Sequence, residues 1–121
     1  MSISNFLENE LLDAAGGNGT YNSAGTYLKL HTGDPGEDGT ANAASETTRK
    51  AVSFGAASGG SMLSSATVEW TNVSTSETYT HWSMWDASTA GNCLWSGALS
   101  SSAAVTAGDT FQITSLTLTL D

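Results

Sequence analysis

Alternation of apolar and polar side chains with a period of two most restricts what this chain can fold into. Side chains that alternate in this way lie on opposite faces of a β-strand. Clusters of Gly, Ser, Asn and Asp separate the alternating runs, and these residues favour turns. The runs occupy residues 26–32, 49–54, 66–72, 78–86, 93–98, 103–105 and 111–120.

About seven short strands with a turn signal every dozen residues or so predict an all-β fold, an antiparallel β-sandwich or jelly roll. One short N-terminal helix is predicted over 4–15, because Ser4 can cap its first turn and Gly16 can end it. With 121 residues the chain has the length of one domain. We expect the helix (1–17) and the sandwich (18–121) to form that single domain.

The last run changes parity, since Phe111 and Ile113 fall on one face, and Leu116 and Leu118 on the other. One extra residue near 114–115 would restore a single inward face, so this pattern predicts a β-bulge.

The charge balance disfavours several partners. Twelve carboxylates face three cations, giving a net charge of −9. We therefore expect no binding to nucleic acid or to anionic membranes, since both attract clustered Lys and Arg. Cys93 is the single cysteine, which excludes an intrachain disulfide. The N-terminus lacks the pattern of a signal peptide, so assembly in the cytoplasm is expected.

The segment LHTGDPGEDGTAN (30–42) has the strongest resemblance to a site. Asp34, Glu37 and Asp38 are possible calcium ligands, but calcium takes six to eight oxygens and the spacing is not that of a known calcium loop. Asp34, Pro35 and Gly36 instead suit a β-turn in which the Asp34 side chain accepts backbone N–H groups. We predict a turn here.

No other cluster predicts chemistry. His31 and His81 lie far from Cys93 without a zinc-ligand spacing, and Cys93 lies in an apolar run without neighbouring cations, as a small core residue would. Carboxylate pairs for glycoside hydrolysis are possible among Glu69, Glu77 and Asp86, but nothing in the sequence singles one out. We expect no catalytic, metal or cofactor site, and no enzyme activity.

Bulky aromatic residues on both faces of run 78–86 need an explanation. Trp82 and Trp85 have opposite parity, whereas an outer strand face is normally polar. The outer face of this strand is then covered by the N-terminal helix or by another subunit, or it stacks on carbohydrate. Among the roles for these aromatic residues, we rank a core role first, a subunit interface second and a sugar platform third. The candidate interface residues are Ile3, Phe6, Leu7, Leu11, Tyr79, Trp82 and Trp85.

Five collinear segments together resemble a family of small tailed-bacteriophage virion proteins, often labelled tail fibre proteins. The chain departs from the family pattern at 47–50 and at Ser83. The resemblance implies a virion structural role and no catalytic residues. The matching segments are SNFLENELLDA (4–14), YLKLHTGDPGEDGTANA (27–43), RKAVSFGAASGGS (49–61), THWSMWDASTAGNCLWSGAL (80–99) and VTAGDTFQITSLTLTLD (105–121).

These observations favour a capsid decoration (cement) protein of a bacteriophage, assembled in the host cytoplasm and located in the virion. Its expected partners are the major capsid protein or another virion protein, together with copies of itself in a dimer or trimer. The alternative is a tail- or fibre-associated module that recognises host-surface glycan through exposed Trp82 or Trp85 and the acidic loop 34–38.

Overall fold

A computed structural model of the chain describes residues 1–120. Within that range the chain forms nine strands and one helix, so the predicted all-β class with one short N-terminal helix is confirmed. The elements are β1 (Ser2–Ile3), α1 (Asn5–Ala15), β2 (Tyr27–His31), β3 (Lys50–Ala51), β4 (Ser61–Leu63), β5 (Val68–Trp70), β6 (Glu77–Trp85), β7 (Cys93–Val105), β8 (Phe111–Ile113) and β9 (Thr117–Thr119).

The strands form a sandwich-like arrangement of one larger sheet and two ribbons. The five-stranded sheet has the order β1-β7-β6-β2-β3, and each of its neighbours pairs antiparallel. Two two-stranded ribbons, β4-β9 and β5-β8, supply the opposing apolar side chains. Alternating strands with one apolar face must bury that face against another layer, and here the sheet and the ribbons do so.

The core lies where the central strands of the sheet meet the ribbons. Register pairs Leu28 of β2 with Met84 of β6, and Leu30 with Trp82, so these four side chains share the core face of the sheet. All are almost fully buried. Gly97 of β7 pairs with Trp82, and its missing side chain leaves room for the indole ring.

The N-terminal helix α1 is fixed to this core from its first residue. The hydroxyl of Ser4 accepts the N–H of Leu7 at 3.2 Å, which is the predicted cap, and donates to the carbonyl of Cys93 at 2.6 Å. Leu7 is buried, and Leu11 packs partly against the same core. The predicted helical stripe therefore docks on the chain's own sheet. None of the described helical segments is long and apolar enough to cross a membrane.

The prediction of a β-bulge near 114–115 is wrong. Residues 111–120 divide into two strands that pair with different partners, β8 with β5 and β9 with β4. The break between them lets Ile113 and Leu118 both point inward despite their opposite parity. The register shifts lie instead between β6 and β7, next to Tyr79 and next to Met84.

Replacing Gly97 by Ala should destabilise the protein by about 1–3 kcal/mol, because an added Cβ would lie 2.7 Å from the Trp82 ring, within a packed core. Gly55→Ala is the matched control, since its Cβ would meet only a backbone oxygen at 3.8 Å. Denaturant unfolding followed by tryptophan fluorescence measures both variants. Equal stability of the two would show that the indole does not need the space over Gly97.

Candidate functional site

The side of the five-stranded sheet away from the core carries the candidate chemistry, and we call it the loop face. Lys29 pairs with Ser83, and Trp85 pairs with Cys93, so these side chains share that face with His31. Strand alternation places them opposite Leu30, Trp82 and Met84. Four of the five (His31, Ser83, Trp85 and Cys93) are buried, although within residues 1–120 no second sheet covers them.

Residues 32–44, which we call the covering loop, lie over the loop face. The loop leaves β2 and folds back along it, with the N–H of Thr32 donating to Asn42 at 2.9 Å and that of Ala44 donating to Leu30 at 3.1 Å. Its Pro35 and Gly39 are buried. An added Cβ on Gly39 would lie 2.6 Å from the sulfur of Cys93, so only glycine allows this approach.

The turn predicted in LHTGDPGEDGTAN is confirmed. Asp34 Oδ1 accepts the N–H of Gly36 at 2.9 Å, and Gly36 adopts a φ of 75°. Asp38 Oδ1 accepts both the N–H and the hydroxyl of Thr40, at 3.1 and 2.7 Å. The two carboxylates therefore hold the shape of the covering loop. Residues 1–120 bring together no group of three His, Cys, Asp or Glu side chains that could hold a metal ion.

A chain of hydrogen bonds joins the covering loop to β6. The carbonyl of Ala41 can only accept, so His31 Nδ1 carries the proton and donates to it at 2.9 Å. In the neutral ring Nε2 then accepts the hydroxyl of Ser83 at 2.7 Å. Ser83 Oγ in turn accepts the indole N–H of Trp85, also at 2.7 Å. This arrangement satisfies every polar atom of the His31 ring and of the Ser83 side chain.

The Ser83–His31 pair has the separation of a serine nucleophile and its base, but its surroundings suit a structural role. Both residues are 0% exposed. The second ring nitrogen of His31 contacts a backbone carbonyl, where a catalytic triad has a carboxylate. Burial lowers the pKa of His31, which keeps the imidazole neutral near pH 7. Sequence reasoning noted Ser83 only as a departure from the family pattern and missed this contact; the one local signal was a small polar residue between the bulky apolar side chains of Trp82 and Met84.

Arg49 closes the loop face beside the covering loop. Its guanidinium carbon lies 4.0 Å from the centre of the Trp85 ring, a cation–π contact. The same group donates to the carbonyls of Ala87 and Ala90 at 2.8 and 2.7 Å, which fixes the turn after β6. Arg49 and Gly39 thus cover Trp85 from within the chain.

Cys93 is a small buried residue, as the sequence predicted, but it lies under the covering loop and outside the main core cluster. Its side chain lies beneath Gly39 and is buried. Burial raises the pKa of its thiol to about 11, so the reactive thiolate is scarce at neutral pH.

The structure places the seven candidate interface residues within the fold of a single chain. Trp82 and Trp85 are not exposed, which corrects the expectation that they could present a sugar platform; Trp82 faces the ribbons, and the covering loop with Arg49 covers Trp85. Tyr79 packs edge-on against Phe111 at 5.2 Å, and burial raises the pKa of its phenol to about 12. Leu7 is buried, and Ile3, Phe6 and Leu11 pack partly against the core.

Open surface features lie elsewhere, and sequence reasoning did not find them because they depend on which distant strands become neighbours. An apolar groove of about 270 Å³ separates α1 from the β4-β9 ribbon, with Leu11, Met62 and Leu120 on its walls. A side cleft of about 430 Å³ lies between β7 and the β8-β9 link, lined by residues 98–101, 103 and 111–117 together with Trp82. A third depression, of about 360 Å³, adjoins Glu37 and Asp38.

Gly39→Ala should loosen the covering loop and expose Cys93. Gly36→Ala is a matched control, because Gly36 has a similar φ, 75° against 72°, but an added Cβ there would have no neighbour closer than 4.0 Å. We expect the thiol of the Gly39 variant to react roughly tenfold faster or more with an aromatic disulfide, with the Gly36 variant close to wild type. Equal rates in the two variants would contradict the role of Gly39.

Acidification should weaken the fold through His31. Burial lowers its folded-state pKa below the ordinary 6.5, and the charges of Lys29 and His81 add to this. The unfolded chain then binds the proton more readily, so the contribution of His31 is full above about pH 6.5 and declines below it, by at most about 1.4 kcal/mol per pH unit.

His31→Gln removes this titration while keeping a donor and an acceptor. We expect its free energy of unfolding to fall less steeply than that of wild type between about pH 7 and 5. Parallel curves for the two proteins would mean that His31 does not titrate differently in the folded state.

Comparison with known proteins agrees with the resemblance described from the sequence. The family model described as Podophage GP4 fiber I protein gp80 matches residues 2–121, nearly the whole chain. No curated protein matches the chain. The chain belongs to the Podophage GP4 fiber I protein gp80 family and is a phage virion structural protein.

Proposed function

We propose that this protein is a structural component of a phage fibre and that it acts by non-covalent attachment to other virion proteins. The observation that supports binding over chemistry is the burial of the hydrogen-bonded Ser83–His31 pair, with both side chains 0% exposed beneath the covering loop. A nucleophile must reach its substrate, and Ser83 reaches only His31 and Trp85.

The fibre location rests on the family, whose description names a fibre protein. Capsid decoration, expected from the compact size of the chain, remains the competing location. Both roles need a rigid domain that presents surface to protein neighbours, and the covering loop, the helix cap and Arg49 give this small domain that rigidity.

Glycan recognition has less support, because the aromatic side chains named for it are internal. The depression beside Glu37 and Asp38 includes Trp85, but that ring is 7% exposed and already has Arg49 on one face. Sugar platforms work by offering an open aromatic face.

Immunogold electron microscopy of intact particles tests the location. We expect label on the fibres and none on the capsid shell. Label spread evenly over the capsid would instead establish the decoration role.

A chromogenic ester assay tests the absence of catalysis separately. Wild type and Ser83→Ala should both leave the ester at its background rate of hydrolysis, since the hydroxyl is sealed. Turnover that Ser83→Ala abolishes would overturn the proposal that the protein acts by attachment alone.

A further inference from the structure

All the Lys and Arg side chains of this chain lie at one edge of the five-stranded sheet. Lys29 is on β2, Lys50 is on β3, and Arg49 directly precedes Lys50. Strands β2 and β3 are neighbours, and β3 is the outermost strand at that edge. In a chain of net charge −9, three cations are therefore gathered in one small area.

Two of these cations, Lys29 and Arg49, share the loop face. The ladder pairs Leu28 with Lys50, and the next position in the same register sets Arg49 opposite Lys29. Like charges that lie opposite one another on neighbouring strands destabilise a sheet. Partial burial lowers the pKa of Lys29, and the charge of Arg49 adds to this effect. No carboxylate of residues 1–120 offsets the repulsion at Lys29, so this pair lacks a counter-charge.

The guanidinium of Arg49 has an unused hydrogen-bonding edge. Arginine has five N–H donors. Its two bonds to the turn after β6, to the carbonyls of Ala87 and Ala90, both leave from Nη1. Within residues 1–120 the Nε and Nη2 groups donate to no acceptor, so the edge that they form together is available. Such an edge binds an oxyanion through two parallel hydrogen bonds.

The same guanidinium is held in place before any ligand binds. Its carbon lies 4.0 Å from the centre of the Trp85 ring, and two backbone carbonyls hold its Nη1 group. An arginine that is already fixed loses little side-chain entropy on binding. Arg49 and Lys29 are both half-buried, so solvent screens their charges less than it screens fully exposed ones.

We propose that Lys29 and Arg49 form a binding site for a single phosphate group. A phosphate monoester carries about −1.5 to −2 charges near neutral pH and has three acceptor oxygens. Two oxygens accept the free N–H groups of Arg49, and the third accepts the Lys29 ammonium. A carboxylate has neither the third oxygen nor the second charge, so it neutralises this pair less completely.

The charge of the rest of the chain restricts the ligand to a small one. The net charge of −9 repels a polyanion such as nucleic acid or an anionic membrane. Asp86 acts on Arg49 from the turn after β6, where the N–H of Asn92 holds its carboxylate at 2.7 Å. The ligand that fits is therefore an isolated phosphate, either the free ion or the phosphate of a sugar phosphate.

Arg49 is the single arginine of the chain, which allows a direct test on the full-length protein. It gives one side-chain Nε–H signal in a nitrogen–proton correlation spectrum. Inorganic phosphate should move this signal to a saturating shift, because the Nε–H group donates to the ligand. Sodium chloride at the same ionic strength should not move it. An unchanged signal, or a shift that chloride reproduces, would overturn the proposal.

Lys29→Gln tests the second cation, and Lys50→Gln is its matched control. Both substitutions remove one positive charge from neighbouring strands, but Lys50 lies on the face opposite to Lys29. Because Lys29 lies opposite a like charge, its removal should leave the fold intact. We expect Lys29→Gln to weaken phosphate binding roughly tenfold, as the loss of a charge-assisted hydrogen bond does. Lys50→Gln should weaken it by about twofold at most.

Equal weakening by the two substitutions would show that only the overall charge matters, and it would overturn the assignment of the site. A hexose phosphate and the unmodified hexose distinguish the two sources of phosphate. Equal affinity for inorganic phosphate and the hexose phosphate supports a site for the phosphate group alone, and tighter binding of the hexose phosphate supports a carbohydrate-borne group. A shift caused by the unmodified hexose would contradict phosphate recognition. Fibre labelling in the microscope does not depend on these outcomes, so this inference and the proposed function can fail separately.

Discussion

The hydrogen bonds that join Ala41, His31, Ser83 and Trp85 are the constraint on which the rest of the structure depends. Strand β6 carries large side chains on both faces, and only one face meets the ribbons. The other face is shielded by the covering loop, and none of the buried residues of that loop is larger than Pro35. His31 holds the loop to the sheet, because one of its ring nitrogens is hydrogen-bonded to Ala41 of the loop and the other to Ser83 of the sheet.

This arrangement explains the glycine-rich, acidic character of the covering loop. The loop needs Gly39 for close approach to Cys93, and Gly36 for a left-handed turn. Asp34 and Asp38 accept the backbone N–H groups of Gly36 and Thr40, which holds the two bends of the loop in place. A sequence that suggests a cation site therefore serves to close one face of the sheet.

Local patterns sufficed for the helix with its Ser4 cap, the alternation in β2 and β6, and the Asp34–Gly36 turn, because each depends on residues within one turn or one strand. The alternation of apolar side chains also indicated an irregularity in 111–120. It could not indicate that the two halves pair with β5 and β4, since the choice of partner strand is non-local. The burial of Trp85 depends on Arg49 and on residue 39, which are tens of residues away. The groove and the cleft were unpredictable for the same reason.

The pairing of distant strands also bears on how the chain acquires its structure during synthesis. Ser2 pairs with Ser96, and Leu63 pairs with Thr117. Strands β1 and β4 therefore cannot pair until segments that are synthesised much later have become available. Closing such long loops is slow compared with forming local hairpins. On the ribosome β6 and β7 can pair as soon as both have emerged, but β4 has no partner until β9 has left the exit tunnel, so its apolar side chains are accessible to chaperones for longer.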